Sequence, residues 1–140
     1  MKQMKSVKDI ESERTNFFAP ENVRTKDRIE LAVGDSITVI GVTLSVFQKR
    51  DKETKEYLFY DDGEPMFGAT AYLELDDDHF TSVNGRVAID QILSLYDEPP
   101  SLQTVGSYPL TDMEPLKLRC VKVMQKYGKD EFPKIAFDVL

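Results

Sequence analysis

The sequence predicts a mainly β fold, a five-stranded Greek-key barrel with one helix and an extended N-terminal arm. Three observations carry this prediction: β-branched stretches that alternate with a period of two, one amphipathic helical stretch, and a polar beginning without an apolar stripe. The chain has 140 residues, the size of one domain with its own core. We assign the arm to residues 1–28 and the domain to residues 29–140.

The arm is polar except for one apolar island, in which Phe17 and Phe18 precede Ala19 and Pro20. Such an island is expected to dock on another surface, either its own domain or a neighbouring subunit. A disordered terminus is the alternative. We expect Phe17 and Phe18 to join subunits, so that the protein is a homo-oligomer.

Three strands are predicted in the first half of the domain. Residues 37–47 are rich in β-branched side chains, and Gly41 within them indicates a bend. A charged hairpin loop leads to a short strand at residues 56–60. The third strand, residues 66–75, places its apolar side chains on the core face and Tyr72 on the opposite face.

One helix and two strands complete the prediction. The helix covers residues 86–96, where apolar residues follow the spacing of a buried stripe. Residues 97–115 hold four prolines and no sustained period, so they predict a long connection. Two strands, residues 116–126 and 132–140, flank a hairpin turn. A helix between strands 3 and 4 of five indicates an OB-fold; another small α+β domain is the competing architecture.

Charge is distributed unevenly along the chain. The net charge is −7, yet residues 61–100 contain ten acidic residues and one basic residue. The rest of the chain is slightly basic and holds two cationic clusters. They are Lys49, Arg50, Lys52 and Lys55, and then Lys117, Arg119, Lys122, Lys126, Lys129 and Lys134. Local field governs anion capture more than net charge does, although from charge alone solvated strand edges and hairpin tips are the favoured explanation of such clusters.

Aromatic residues accompany both cationic clusters. Binding a single strand without sequence preference needs aromatic faces for the bases and cations for the phosphates. In an OB-fold, the loop after strand 1, the loop after strand 4 and the face of strands 2–3 bind nucleic acid. The predicted phosphate contacts are Lys49, Arg50, Lys52, Lys55, Lys117, Arg119, Lys122, Lys126 and Lys129. The predicted stacking residues are Tyr57, Phe59, Tyr72 and Tyr127.

Catalytic, metal and cofactor sites are not expected. His79 is the only histidine, and a metal site would pair it with Asp76 and Asp78, although a solvated turn explains that loop more simply. Cys120 lies in a predicted strand as a small apolar residue, and a single cysteine suggests a reducing, cytoplasmic location. Glycine-rich phosphate loops and the nucleophile-elbow motif are absent, and no stretch is apolar enough for a membrane helix.

The region of residues 34–140 resembles the OB-fold single-stranded DNA-binding proteins, especially divergent ones carried by conjugative plasmids and phages of Gram-positive bacteria. The resemblance rests on GDSITVIGVTLSVFQKRDKETKEYLFY, on ATAYLEL, and on FTSVNGRVAIDQIL at the start of the helix. It implies sequence-tolerant binding of single-stranded DNA, no catalysis, and oligomers or arrays along the strand.

The expected function is therefore to coat and protect single-stranded DNA, with RNA as a further ligand, during replication or conjugative transfer. The rival is an OB-type protein-interaction module that uses the acidic residues of 61–100 and binds no nucleic acid. A weaker third alternative is a metal-dependent hydrolase built on residues 76–79.

Overall fold

The computed structural model describes residues 19–110 and 113–140, which form eight strands and one helix. In chain order the elements are β1 (Asp27–Arg28), β2 (Ser36–Val39), β3 (Gly41–Gln48), β4 (Phe67–Glu74), β5 (His79–Val83), α1 (Arg86–Leu93), β6 (Gly106–Leu110), β7 (Leu116–Tyr127) and β8 (Asp130–Val139). The prediction of a mainly β fold is confirmed, and the predicted count of five strands is wrong.

The strands form two sheets. One contains five strands in the order β1-β5-β4-β3-β6, and the other contains three in the order β2-β7-β8. Only β1 and β5 pair in parallel; the other pairs in the described residues are antiparallel. The predicted first strand divides at Ile40, so that β2 belongs to one sheet and β3 to the other. Within the described residues no ladder closes the two sheets into a barrel.

The core lies between the sheets and under α1. The inward face of β3 contributes Val42, Leu44 and Val46, as the period of two predicts. Other buried members come from β4, from the helix and from the three-stranded sheet: Ala71, Leu73, Ala88, Ile89, Ile92, Leu118, Cys120 and Phe137. The outer face of the five-stranded sheet, opposite this core, carries alternate residues such as Thr43, Phe47 and Tyr72.

Gln91 of helix α1 makes two hydrogen bonds to the backbone of β8. Nε2 of Gln91 donates to the carbonyl oxygen of Phe137 at 2.6 Å, and the Phe137 N–H donates to Oε1 of Gln91 at 3.0 Å. The helix ends at Leu93, three residues before the predicted end, and a turn continues the chain. The amide of Gln91 thus occupies the position that a neighbouring strand would take beside β8.

Residues 19–28 pack on the outer face of the five-stranded sheet, and we call them the strap. Val23 is fully buried against Phe80, and Ala19 is buried beside it. The Lys26 ammonium lies 3.1 Å from Oε1 of Glu74. This part of the predicted arm therefore docks on its own domain, whereas Phe17 and Phe18 lie outside the described residues. In the described part of the chain, no helix is long and apolar enough to cross a membrane.

Candidate nucleic-acid interface

Strands β3 and β4 continue beyond their ladder into an excursion, residues 49–66. The Lys49 N–H still donates to Met66 O at 2.8 Å, after which the two strands diverge. Leu58 fills the gap, because its N–H donates to Lys49 O at 2.9 Å and its carbonyl accepts from Met66 N at 3.0 Å. The prediction of a strand at residues 56–60 is therefore wrong. This segment makes only two isolated β-bridges, between Tyr57 and Arg50 and between Phe59 and Pro65.

The first loop of the excursion, residues 51–56, has a shape fixed by Asp51. Its Oδ1 accepts the N–H groups of Glu53 and Thr54 at 2.8 and 3.0 Å. These backbone donors, Thr54 foremost, hold the pKa of Asp51 below its usual value. Lys55 adopts a φ of 64°, a left-handed conformation that closes the loop. The loop therefore presents Lys52 and Lys55 in a defined arrangement.

A groove of about 710 Å³ lies where this loop joins the sheet. Its lining consists of Phe47, Lys49, Arg50, Asp51, Lys52, Glu53 and Leu58. Phe47 stands on the outer face of the sheet and keeps 42% of its surface exposed. Its cross-strand neighbour is Gly68, and a Cβ built there would lie 2.8 Å from two ring carbons of Phe47. The ring therefore lies directly over the backbone of β4.

Phe47 was not among the predicted stacking residues. The signal that identifies it is the period of two, which places it outward, two residues before Lys49. The glycine beneath the ring is visible only once the strand register is known, since Phe47 and Gly68 are 21 residues apart.

Arg50 and Tyr57, which we predicted as separate phosphate and stacking residues, form one pair. The Arg50 guanidinium lies 4.4 Å from the centroid of the Tyr57 ring and donates to the Tyr57 hydroxyl. Lys49, Lys52 and Lys55 are exposed, and none has a carboxylate within ion-pair distance in residues 19–110 and 113–140. The structure therefore brings the first cationic cluster, Phe47 and Tyr57 together. Phe59 lies further along the excursion and is exposed.

Tyr72 does not offer an open aromatic face. It leaves the core as predicted, but the strap covers it, and its ring centroid lies 6.1 Å from that of Phe80. Burial raises the pKa of the Tyr72 hydroxyl. Asn22 of the strap donates to the Thr43 hydroxyl at 3.2 Å, on the neighbouring strand. The strap therefore leaves the Tyr72 ring only partly exposed, which makes it a poorer stacking surface than Phe47; its stacking role stays a prediction.

The second cationic cluster is divided between the two faces of β7. Alternation places Lys117 and Arg119 on one face and Lys122 and Lys126 on the other, although all four are exposed. Lys126 lies 3.8 Å from a carboxylate oxygen of Glu131 on β8. A six-residue cluster in the sequence is therefore not a single patch on the surface.

The tip of the β7–β8 hairpin carries an aromatic pair. Tyr127 and Phe132 are each 47% exposed, and their ring centroids are 5.6 Å apart. Gln125 donates to the Tyr127 hydroxyl at 2.6 Å, which orients that ring. Lys129 follows Gly128, whose φ of 63° forms the turn. Phe132 is a second aromatic residue that was absent from the predicted site, and cross-strand proximity to Tyr127 is what identifies it.

The acidic loop at residues 76–79 is organised by its own hydrogen bonds. Oδ1 of Asp76 accepts the Asp78 N–H at 2.8 Å and lies 2.9 Å from Nδ1 of His79. The Asp78 N–H is the largest cause of the lowered pKa of Asp76, and His79 adds to it. Among the residues that the structure describes, no group of three or more metal-ligating side chains is assembled here or elsewhere.

Comparison with known proteins finds no relative of this chain: no family model, no curated protein and no solved structure matches it. The function must therefore be argued from the geometry of the groove around Phe47, which we call the Phe47 groove.

Proposed function

We propose that the protein binds single-stranded DNA without sequence preference, with a base stacked on Phe47 and phosphates near Lys49, Arg50 and Lys52. The observation that carries the proposal is the Phe47 groove itself. An exposed ring lies against Gly68, and three cations line the same groove. Every base has an aromatic face, so stacking on a fixed ring binds bases of any type, at about 1–3 kcal/mol each.

An OB-type architecture remains part of this proposal. A long strand bends at Ile40 to serve both sheets, and α1 follows the β3-β4-β5 meander. In an OB-fold the loop between the first two long strands contributes to the nucleic-acid surface, and the excursion at residues 49–66 occupies that place in the chain. On this interpretation the Tyr127–Phe132 pair at the second hairpin offers a further place for a base.

The electrostatics of the groove imply weak, salt-sensitive binding. Asp51 and Glu53 line the groove together with the cations, so the local field is only partly positive. Phosphate contacts release counterions, and the logarithm of affinity falls by about 0.7 per phosphate for each decade of salt. Three cations predict a slope of about −2.

Titration of the full chain against a fluorescent oligo-dT at about 50 mM and about 200 mM salt tests the proposal. We expect binding at low salt with that slope. Phe47→Ser removes the stacked ring and should weaken binding by roughly fivefold or more. Val105→Ser is the matched control, because Val105 is an exposed apolar residue outside the groove. Absence of binding at low salt would overturn the proposal and favour the protein-interaction rival.

The same titration with oligo-U decides between DNA and RNA, because an aromatic ring accepts bases from either. We propose the biological role as coating and protecting single strands during replication or conjugative transfer. Resistance of the bound oligonucleotide to a single-strand nuclease measures that protection directly. Equal digestion with and without saturating protein would contradict the protective role.

A further inference from the structure

The far end of the excursion, around residues 59–65, forms a second exposed surface that is aromatic and acidic, whereas the Phe47 groove contains cations. Phe59 and Tyr60 are 55% and 56% exposed, more than any aromatic ring of the Phe47 groove. A cleft of about 590 Å³ lies beside Tyr60. Its lining consists of Tyr60, Asp62, Glu64, Pro65, Phe67 and Gln103, and we call it the Tyr60 cleft. Aromatic rings exposed beside a concave surface are typical of binding sites.

The turn that forms one wall of this cleft is well defined. The Tyr60 N–H donates to Glu64 O at 2.8 Å, and the Gly63 N–H donates to Tyr60 O at 2.9 Å. Oδ1 of Asp62 accepts the Glu64 N–H at 2.9 Å. Gly63 has a φ of 87°, which a residue with a Cβ adopts only with strain. The turn therefore fixes the backbone of Glu64 and the Asp62 carboxylate, and both residues line the cleft together with Tyr60.

These carboxylates have no counter-ion among the described residues. In the described ranges, no cation lies within ion-pair distance of Asp61, Asp62 or Glu64. A phosphate backbone is repelled by such a site, so the Tyr60 cleft is not an extension of the Phe47 groove. Exposed rings beside unpaired carboxylates complement a ligand that is both flat and cationic.

We propose that the Tyr60 cleft docks an arginine side chain from a protein partner. A guanidinium is planar, so it stacks on an aromatic ring and forms paired hydrogen bonds with a carboxylate. A lysine ammonium pairs with the carboxylate only as a point charge and has no flat face to stack. The excursion already contains the same arrangement internally, since Arg50 lies over Tyr57 and donates to its hydroxyl. The partner arginine would lie over Tyr60, with its donors directed to Asp62 and Glu64. This inference does not depend on the DNA-binding proposal.

Fluorescence anisotropy of the full chain with a labelled Arg-Gly-Ser repeat peptide tests the inference. Matched peptides carry citrulline or lysine in place of each arginine. We expect binding of the arginine peptide, about threefold weaker binding of the lysine peptide, and none of the neutral citrulline peptide. Tyr60→Ser should weaken arginine-peptide binding by about threefold to fivefold.

The variant pair that tests location is Asp62→Asn/Glu64→Gln against Asp77→Asn/Asp78→Asn. Both change the net charge equally, but Asp77 and Asp78 follow the far end of β4, roughly 25 Å away along the strand. Only the first pair should reduce arginine-peptide binding. Equal losses from both pairs, equal binding of the citrulline peptide, or no binding at all would each overturn the inference. Oligo-dT binding should not weaken in any of these variants, which separates failure here from failure of the proposed function.

Discussion

At the scale of single residues, the Phe47 groove depends on a missing side chain. The Phe47 ring occupies the space that a Cβ at residue 68 would need, with 2.8 Å between the ring carbons and that Cβ position. An aromatic ring over a cross-strand glycine covers the exposed backbone there, and the Cε of Lys49 lies beside it, 3.2 Å from the same Cβ position. Gly68 is thus a positioning residue for the proposed stacking surface, although it makes no contact with the ligand itself.

Gly68→Ala should therefore weaken oligo-dT binding by displacing the Phe47 ring. We expect a loss of roughly threefold, with a small change in stability because an exposed ring has room to move. In a Phe47→Ser background the same substitution should have no effect on binding. A double-mutant cycle by anisotropy measures this coupling. Additive losses would show that Gly68 acts on binding by some route other than Phe47.

Asp51 combines a structural and an electrostatic role, and the two can be separated. Asp51→Asn keeps an oxygen to accept the Glu53 and Thr54 N–H groups while removing a negative charge from the groove. We expect about twofold to threefold tighter oligo-dT binding at low salt, with the gain fading at high salt. Asp51→Ala loses the acceptor as well, so it should not show the gain. An unchanged affinity in Asp51→Asn would place the strand away from this loop.

Alternation was the most reliable information in the sequence at this scale. It placed Tyr72 outside the core correctly, and in β3 the period of two groups Val42, Leu44 and Val46 on one face, which is the buried one. It did not indicate that Val23, 49 residues earlier in the chain, covers Tyr72. That contact depends on where the strap packs. The strap is polar with two small apolar residues, so it has no hydrophobic period from which its packing position could be predicted.

At the scale of elements, two residues limit pairing along the outer edge of β8, the edge that does not face β7. They are Gln91 and Pro133. The N–H and carbonyl of Phe137 both point towards Gln91. Because alternate residues of a strand direct their backbone groups to the same side, the backbone groups of residues 133, 135 and 137 all point away from β7. Pro133 therefore places its missing N–H on the open edge, where no ladder bond is lost. An exposed strand edge invites pairing with other chains. Gln91 and Pro133 each remove one position on this edge where another strand could pair.

Gln91→Ala should destabilise the fold by about 1–3 kcal/mol, because it leaves the Phe137 N–H and carbonyl without their partner. Urea unfolding followed by circular dichroism measures the free energy of unfolding. Gln103→Ala is a suitable control, because Gln103 is an exposed residue outside α1. An equal free energy of unfolding for the Gln91 variant and the wild type would contradict this prediction, because it would mean that water satisfies the Phe137 N–H and carbonyl as well as Gln91 does.

Elements with long, clean patterns were predictable, and short ones were not. The strands 66–75 and 116–126 lie within two residues of β4 and β7, and the helix begins at Arg86 as predicted. β5 was missed because its five residues follow an acidic loop and mix polar with apolar side chains. β6 was missed because Pro109 argues against a strand; it is tolerated there because β6 is an edge strand.

At the scale of the whole molecule, the strap makes the polar beginning of the chain part of the fold. Ala19 and Val23 cover Phe80, which would otherwise be an exposed ring on the outer face. β1 then adds to the edge of β5, and the Ile29 N–H continues that pairing to Phe80 O at 2.8 Å. The proposed boundary at residue 28 therefore falls inside a packed unit.

Two truncations distinguish the roles of these parts. Removing residues 1–18 leaves every contact among residues 19–110 and 113–140 in place, so this variant is the reference for the longer truncation. Removing residues 1–28 exposes Phe80 and should cost at least about 2 kcal/mol. Urea unfolding measures both. Light scattering with and without oligo-dT tests whether Phe17 and Phe18 join subunits; an unchanged mass after removal of residues 1–18 would contradict that expectation.

Cys120 has a practical consequence for all of these measurements. The chain has one cysteine, its side chain is fully buried in the core, and burial raises the pKa of the thiol. Such a thiol reacts slowly with maleimides while the protein is folded. A cysteine introduced at Glu56 or Asp61, which are exposed and lie beside the two sites without lining them, would therefore accept a fluorescent probe selectively in an otherwise wild-type chain. The two ends of the excursion can thus be monitored one at a time, each reporting on its own ligand.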